Sequence, residues 1–260
     1  MDYREIILNQ STAVRTKVLA EVNTICKSVS VDFEGVISYS TSVIEWLKPI
    51  IDLSDFNVYP MNGITEGLNW WYANEERSVK VLSGDYQWLD NKNGIQDTIL
   101  YLSCPSAIDG NYINIPNDIP VALDLAYVGS TKIKNIKVTD NIQYVFYSLS
   151  KSFGIRNIRT GWYFTRKKDE RLENLSYGAK YYNYYARDVS EEIFKNFSVE
   201  YIHGVLSKQQ NKICDILSLN PSDSVWLSTT TNDLYKKFNR KNNLNRLCLS
   251  GVYDYEFKKT

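Results

Sequence analysis

Histidine is nearly missing from this chain: a single one, His203, stands among 260 residues. One imidazole removes most Ser-His-Asp and Cys-His schemes and leaves no convincing Cys/His zinc site. His203 sits in "VEYIHGVLSK", whose apolar spacing is helical, so it reads as a helix-surface residue. An acid or base in this protein is therefore expected to be something other than histidine. Cysteine is sparse as well. Cys26, Cys104, Cys214 and Cys248 lie far apart with no C-x-x-C pair, which suits scattered reduced thiols in a cytoplasmic protein. There is no surplus of charge, since 30 basic residues balance 30 acidic ones. Nucleic acid and anionic membrane both favour a basic excess, so neither is expected as the main partner. No apolar run reaches the roughly 18 residues needed to span a bilayer. The opening "MDYREIILNQSTAVRTK" carries acids early and no apolar stretch before a small-residue cleavage site, so no secretion signal is expected.

What is present is a globular composition, 43% hydrophobic, enough for one large domain or one domain with a small appendage. Residues 12–28 and 41–53 place apolar side chains at helical spacing. Short apolar runs follow: "SVKVLSG", "TILYLSC", "PVALDLAY", "IQYVFYSL" and "GWYFTRK". They are β-branched and aromatic, bounded by Gly, Pro, Asn and Ser, and too continuous for one-sided alternation. Strands buried on both faces have this character, which predicts a sheet covered by helices. Beyond about residue 170 long amphipathic helices take over, and "NRLCLSG" returns to a strand pattern. The expected architecture is a three-layer α/β sandwich, with residues 1–190 forming the N-terminal helices and large domain and 191–260 a reduced C-terminal sub-domain.

Ligands of open α/β sheets lie beyond the carboxyl ends of the strands. The polar residues just after the apolar runs are therefore the candidates: Asn62 to Gly67, then Asp85-Tyr86-Gln87, then Asp124 and Tyr127, then Ser148, Ser150 and Lys151. "YSLSKSFGIRNIRTGW" (147–162) is the densest stretch, with Lys151, Arg156 and Arg159 between two apolar runs. Desolvating a lysine costs free energy, so Lys151 calls for an exposed turn or a chemical role.

These residues resemble a known family. "S-L-S-K-S-F-G" followed by Arg159-Thr160-Gly161 is similar to the cofactor-lysine segment of fold type I pyridoxal-phosphate enzymes, the aspartate aminotransferase-like group (class I/II). "L-D-L-A-Y", ending 24 residues before the lysine, resembles that group's D-x-A/P-Y element. "N-G-I-T-E-G" resembles its phosphate-cradling turn, and "R-L-C-L-S-G" (246–251) its carboxylate-binding arginine strand. The likeness covers roughly residues 55 to 251, in family order. It implies a mostly parallel, mixed sheet of the pyridoxal-phosphate transferase type and pyridoxal 5'-phosphate as cofactor.

The resemblance also implies roles. Lys151 would hold the cofactor aldehyde as a Schiff base and, once freed by substrate, move the α-proton. Asp124 would keep the pyridine nitrogen protonated, and Tyr127 would donate to the phenolic oxygen. Gly63, Ile64, Thr65, Ser148, Ser150 and Arg159 would hold the phosphate dianion. Tyr86, in "SGDYQW", would stack on the ring. Arg246 would grip the substrate carboxylate with its two-pronged guanidinium. Trp70 and Trp71 read as core. The tyrosines of "YYNYYAR" (181–187) would line a pocket, a dimer seam or a half-exposed helix face. The expected function is an aminotransferase using amino-acid and keto-acid substrates as a homodimer. A lyase, decarboxylase or cyclase, or a non-catalytic paralogue, is the alternative.

Two departures from the family pattern stand out. Where the group usually reads N-P-x-x-P-T-G, this chain has "CPSAIDG" (104–110), which puts Ala107 at the position of an asparagine that bonds the phenolic oxygen. Tyr127 would then act alone, or Asn111 would substitute. The chain is also short for the family, with Arg246 only 95 positions after Lys151. A second arginine for an acidic substrate side chain would come from Arg187 or Arg156.

Overall fold

The computed structural model describes residues 19–32, 38–240 and 243–256. Its core is a six-stranded sheet made of β1 (Asn57–Pro60), β2 (Arg77–Val81), β3 (Gln96–Ser103), β4 (Val121–Asp124), β5 (Ile142–Tyr147) and β6 (Trp162–Thr165). The spatial order is β1-β6-β5-β4-β3-β2. Strands β2 to β5 are mutually parallel, while β6 runs antiparallel to both β5 and β1. Five strands therefore share one direction, and the mixed, mostly parallel sheet expected from the sequence is present.

The continuous apolar runs are explained by burial on both faces. Leu100 and Leu102, Leu123, Val145 and Tyr147, and Trp162 and Phe164 enter one core, with Trp46 and Ile193. Their neighbours Ile99 and Tyr101, Ala122, Phe146, and Tyr163 enter a second core with Leu68 and Trp71. Side chains alternate with period two, but each set meets an apolar layer. The first layer includes α2 (Ser38–Leu47) and α6 (Tyr184–Asn196); the second is led by α3 (Ile64–Asn74).

Helix α1 (Ala20–Ser28) covers the end of the predicted 12–28 segment, whose residues 12–18 lie outside the described residues. The helix predicted over 41–53 stops at Leu47, because Pro49 disfavours helical backbone at Lys48 and brings no N–H of its own. The amphipathic stretch after 190 is broken where Phe197 turns extended; α7 (Tyr201–Leu217) then restarts, and both Phe197 and Val199 are buried in the gap. The short strand β1 carries no strong pattern of its own and escaped the sequence reading.

A second, three-stranded antiparallel sheet follows: β7 (Asn220–Pro221), β8 (Leu227–Thr230) and β9 (Asn245–Cys248), in that order. Gln210 of α7 fastens it by donating from Nε2 to the carbonyls of Ser222, Ser224 and Leu227 at 3.0, 3.0 and 2.9 Å. Trp226, Leu227 and Leu247 join the first core of the large sheet. The remaining elements are the single-turn helices α4 (Leu149–Ser152) and α5 (Glu170–Glu173), a π-helical turn (Asn174–Gly178), a 3-10 helix (Asp233–Phe238) and the C-terminal α8 (Ser250–Glu256). The four cysteines are free thiols. Among the described residues no helix is long and apolar enough to cross a membrane.

Candidate active site

Topology decides what meets at the rim. Pro60, the last residue of β1, and Tyr147, the last of β5, both pair with Trp162, the first of β6. Asp124, the last of β4, pairs with Ser103 on one side and Phe146 on the other. The turns that follow β1, β3, β4 and β5 thus leave the sheet along one edge.

Lys151 lies on α4, immediately after β5. Ser148 caps that turn: its Oγ accepts from the Ser150 N–H at 2.9 Å, which leaves the Ser148 hydroxyl proton available. The Ser150 Oγ is buried and has no hydrogen-bond partner among the described residues. An unpaired buried hydroxyl costs about 1–3 kcal/mol unless something else pairs with it. The Lys151 Nζ stands 4.6 Å from the centre of the Tyr127 ring and 5.9 Å from that of Tyr86.

Asp124 is 2% exposed. One carboxylate oxygen accepts from the Ala126 N–H at 2.7 Å, and the other accepts from the Tyr101 hydroxyl at 2.6 Å. Burial pushes the Asp124 carboxyl above its ordinary range, against the pull of the Lys151 charge and of these two donors. Burial works the other way on Lys151, yet Tyr127 and Asp124 outweigh it and Arg246, so the ammonium is held above its usual value. A second carboxylate lies nearby. Asp85, also buried, accepts from the Ser103 N–H at 3.2 Å and the Ser103 hydroxyl at 2.6 Å, and burial raises its pKa too.

The turn after β1 forms a cradle. Gly63 has φ +85°, a conformation only glycine adopts without strain, and it leads into α3 at Ile64. A Cβ there would stand 2.9 Å from the guanidinium carbon of Arg159, and one on Gly161 would stand 2.6 Å from the Gly63 Cα. Arg159, exposed and itself at φ +65°, donates to the Asn62 carbonyl at 2.7 Å. The Thr65 hydroxyl is 3.5 Å from that of Tyr86. Glu66 closes the turn by accepting from the Asn62 backbone and side-chain amides at 2.5 and 3.1 Å. Lys151, Asp124, Tyr127 and Tyr86 therefore form one cluster, and Gly63, Arg159 and Gly161 a second one on the same rim.

Arg246, in β9, is 4% exposed and donates through Nη1 to the Ala107 carbonyl. The Ala107 N–H in turn donates to the Ser103 hydroxyl at 2.7 Å. The loop that lacks the family asparagine is thus tied to both Asp85 and Arg246. The Asn111 Oδ1 accepts from the Asp223 N–H at 2.9 Å and links this loop to the segment that leads into β8. Arg187 is buried against Asp188 and the Asp32 carbonyl, and Arg156 is exposed. A second arginine that reaches this region beside Arg246 is Arg240, which donates to the carbonyls of Gly84 and Asp85, both at 2.8 Å. Tyr181 to Tyr184 line a cavity of about 500 Å³ that also touches Asn62, Glu66 and Trp70. Trp71 is core; Trp70 is half-buried under the Arg171 guanidinium at 4.9 Å.

Tyr101, Ser103 and Arg240 had no place in the sequence reading, and Asp85 appeared there only as a rim residue without a role. Tyr101 carried a usable signal, because a phenol inside a run buried on both faces requires a partner.

No family model matches the chain, and no curated protein matches its sequence. Solved structures do match. A C–S lyase from Staphylococcus hominis bound to L-cycloserine superposes with a TM-score of 0.67 at 11% identity, over 100% of this chain and 87% of that one. The chain has the fold of the aminotransferases and C–S lyases. Cystalysin from Treponema denticola, which contains pyridoxal 5'-phosphate, shares this fold at TM-score 0.63 and 11% identity, over 97% and 90% of the two chains. Tyrosine aminotransferase from Leishmania infantum shares it at 0.62 and 11%, over 95% and 90%. In this aminotransferase fold the cluster around Lys151 sits at the strand ends, where open α/β sheets bind ligands.

Proposed function

We propose that this protein is a pyridoxal-phosphate enzyme acting on an amino acid, and specifically an aminotransferase that passes an α-amino group to a keto acid. The observation that carries this reading is the meeting of Lys151, Asp124 and Tyr127 beside the Gly63–Arg159 cradle at one rim of the aminotransferase fold.

The residues fit the cofactor. The unpaired, buried Ser150 hydroxyl and the cradle that a Cβ would fill suit a phosphate. The Ser148 and Thr65 hydroxyls, the Arg159 guanidinium and the N–H groups opening α3 complete a donor set for a dianion. Asp124, with one donor on each oxygen, retains lone pairs for a ring N–H, and Tyr127 is the hydroxyl assigned to the phenolic oxygen. Tyr86 is assigned to the ring face. When bound, the cofactor supplies an electron sink for negative charge at the substrate α-carbon.

The side chains then divide the work. Arg246, buried and pointed at the loop after β3, holds the substrate carboxylate and so orients the bond to be broken. Lys151, flanked by the Tyr127 and Tyr86 rings, carries the aldehyde at rest and moves the proton at the α-carbon during turnover. Asp124 supplies the fixed negative charge that keeps the ring nitrogen protonated. The small sheet β7–β9 with α7 and α8 serves as the substrate-side sub-domain. A homodimer in the cytoplasm belongs to the same reading, which the family resemblance supports.

A C–S lyase is the second reading, favoured by the C–S lyase structures from Staphylococcus hominis that share the fold. Incubation with pyridoxal phosphate followed by absorbance spectroscopy tests the cofactor; an amino-donor screen with mass spectrometry tests the reaction. A visible band that disappears in Lys151→Ala, with keto acids released from amino donors, is expected. Release of pyruvate and thiol from cysteine conjugates with no amino transfer points to the lyase. No band, or one unchanged in Lys151→Ala, overturns the cofactor assignment.

A further inference from the structure

We propose that Tyr101 is the positioning residue for Asp124: its hydroxyl holds the carboxylate in place and in its charged form, and thereby sets the protonation of the cofactor's ring nitrogen. This rests on the cofactor reading above and adds a residue that the family motifs did not nominate.

Asp124 has no freedom to choose its surroundings. It ends a strand whose four residues are all buried, and among the described residues its two oxygens meet only the Ala126 N–H and the Tyr101 hydroxyl at hydrogen-bond distance. Burial favours the neutral acid, and a neutral acid offers no charge to a pyridinium. Three groups oppose that tendency: the Lys151 ammonium, the Tyr101 hydroxyl and the Ala126 N–H. Lys151 is no longer a free ammonium once it carries the cofactor. The backbone donor cannot be varied. Tyr101 is the remaining side chain that selects the carboxylate over the acid.

Tyr101 is itself held rigidly. It is fully buried in the middle of β3, and its ring stacks on Trp71 at 6.4 Å with 28° between the planes. Trp71 is anchored by its indole N–H, which donates to Glu75 at 3.1 Å, and Glu75 receives two further bonds from the Arg77 guanidinium at 2.9 and 2.8 Å. An ion pair behind the sheet thus steadies the aromatic that aims the hydroxyl. Burial first, and then the negative charges of Asp124 and Asp85, push the Tyr101 phenol well above its ordinary range, so it remains a donor throughout the working pH range. The titratable groups facing the pair are Asp85, Tyr86 and Lys151; Tyr101→Phe leaves all three in place.

The test loads wild type and Tyr101→Phe with cofactor labelled with ¹⁵N in the ring. The ring-nitrogen shift is then read by NMR, and the visible band is titrated with pH. In wild type the nitrogen is expected to remain protonated from about pH 6 to 9, with Asp124 charged. In the Phe variant the shift is expected to move toward the unprotonated value. The midpoint of the visible band should rise by about one pH unit, because a neutral ring withdraws less charge from the linkage. Cofactor affinity should fall about tenfold, the loss of one hydrogen bond to a charged group. An unchanged shift and midpoint in a loaded Phe variant would overturn the role of Tyr101 and leave the cofactor reading intact. Failure of wild type to form the lysine-dependent band would instead remove the reading itself. Should Tyr101→Phe not fold, the wild-type titration decides alone: a ring nitrogen that loses its proton within that range refutes a charged, positioned Asp124.

Discussion

The two ends of the candidate site are built on opposite principles. At the proposed phosphate end the charged group and the cradle hydroxyl are exposed: Thr65 and Arg159 face solvent, Arg159 is held by a bond to the Asn62 carbonyl, and the buried groups there are the Ser148 and Ser150 hydroxyls. At the ring end Asp124, Tyr101, Asp85 and Ser103 are all buried, and each hydrogen-bonds another member of the group or its backbone. The difference is one of dielectric. A dianion needs charge and N–H groups that water can screen but not displace, whereas the ring nitrogen needs a single carboxylate whose state water would otherwise decide. Changes at the exposed end should therefore cost affinity, and changes at the buried end should cost chemistry or folding.

The largest effect is expected from Lys151→Ala, which should abolish the visible cofactor band and lower turnover by on the order of 10⁴-fold, read by absorbance and product analysis. Next comes Asp124→Ala, which leaves the Tyr101 hydroxyl buried without its acceptor and should destabilise the fold by about 1–3 kcal/mol in urea melts. Asp124→Asn sharpens the contrast. Because the folded-state pKa of Asp124 is raised, the native state binds the proton more tightly than the unfolded chain, so its contribution to stability falls as pH rises through that pKa. Asn removes this penalty. Urea midpoints at neutral pH should therefore fall less in Asp124→Asn than in Asp124→Ala, because Asn keeps an acceptor for Tyr101 although it removes the charge that helps hold the Lys151 ammonium. Cofactor binding weakens; a loss of stability in Asn as large as in Ala would contradict the buried-charge argument.

At the exposed end, Arg159→Ala should weaken cofactor binding by roughly 10- to 100-fold with little change in the melting midpoint. Gly63→Ala combines a left-handed backbone with a Cβ driven onto Arg159 and should cost about 1–2 kcal/mol of stability, together with the cradle. The smallest expected effect is that of salt. Raising ionic strength should loosen binding of inorganic phosphate at the cradle but leave the pH midpoint of the loaded band in place. A midpoint that drifts with salt would erase the distinction between the two ends.

The visible parts of this site in the sequence were those carried by local chemistry. A lysine two residues past an apolar run, an aspartate inside one, and a glycine turn opening a helix each announce themselves within a few positions. What stayed hidden depends on pairing across the sheet. Tyr101 reaches Asp124 only because β3 and β4 lie side by side, and Asp85 reaches Ser103 across a gap of 18 positions. Arg240 reaches the Gly84–Asp85 backbone from 155 or more positions away. Strand β1 was missed for a related reason: four residues, "NVYP", have no period of their own and become a strand only through β6.

By itself, then, the amino-acid sequence determined the layers and the chemical inventory, because alternation of buried side chains and the cost of burying charge are properties of short segments. The tertiary structure alone decided which residue partners which. Hydrogen-bond partners of a buried carboxylate are selected by strand order and register, and those are settled only when the whole sheet closes over its two cores.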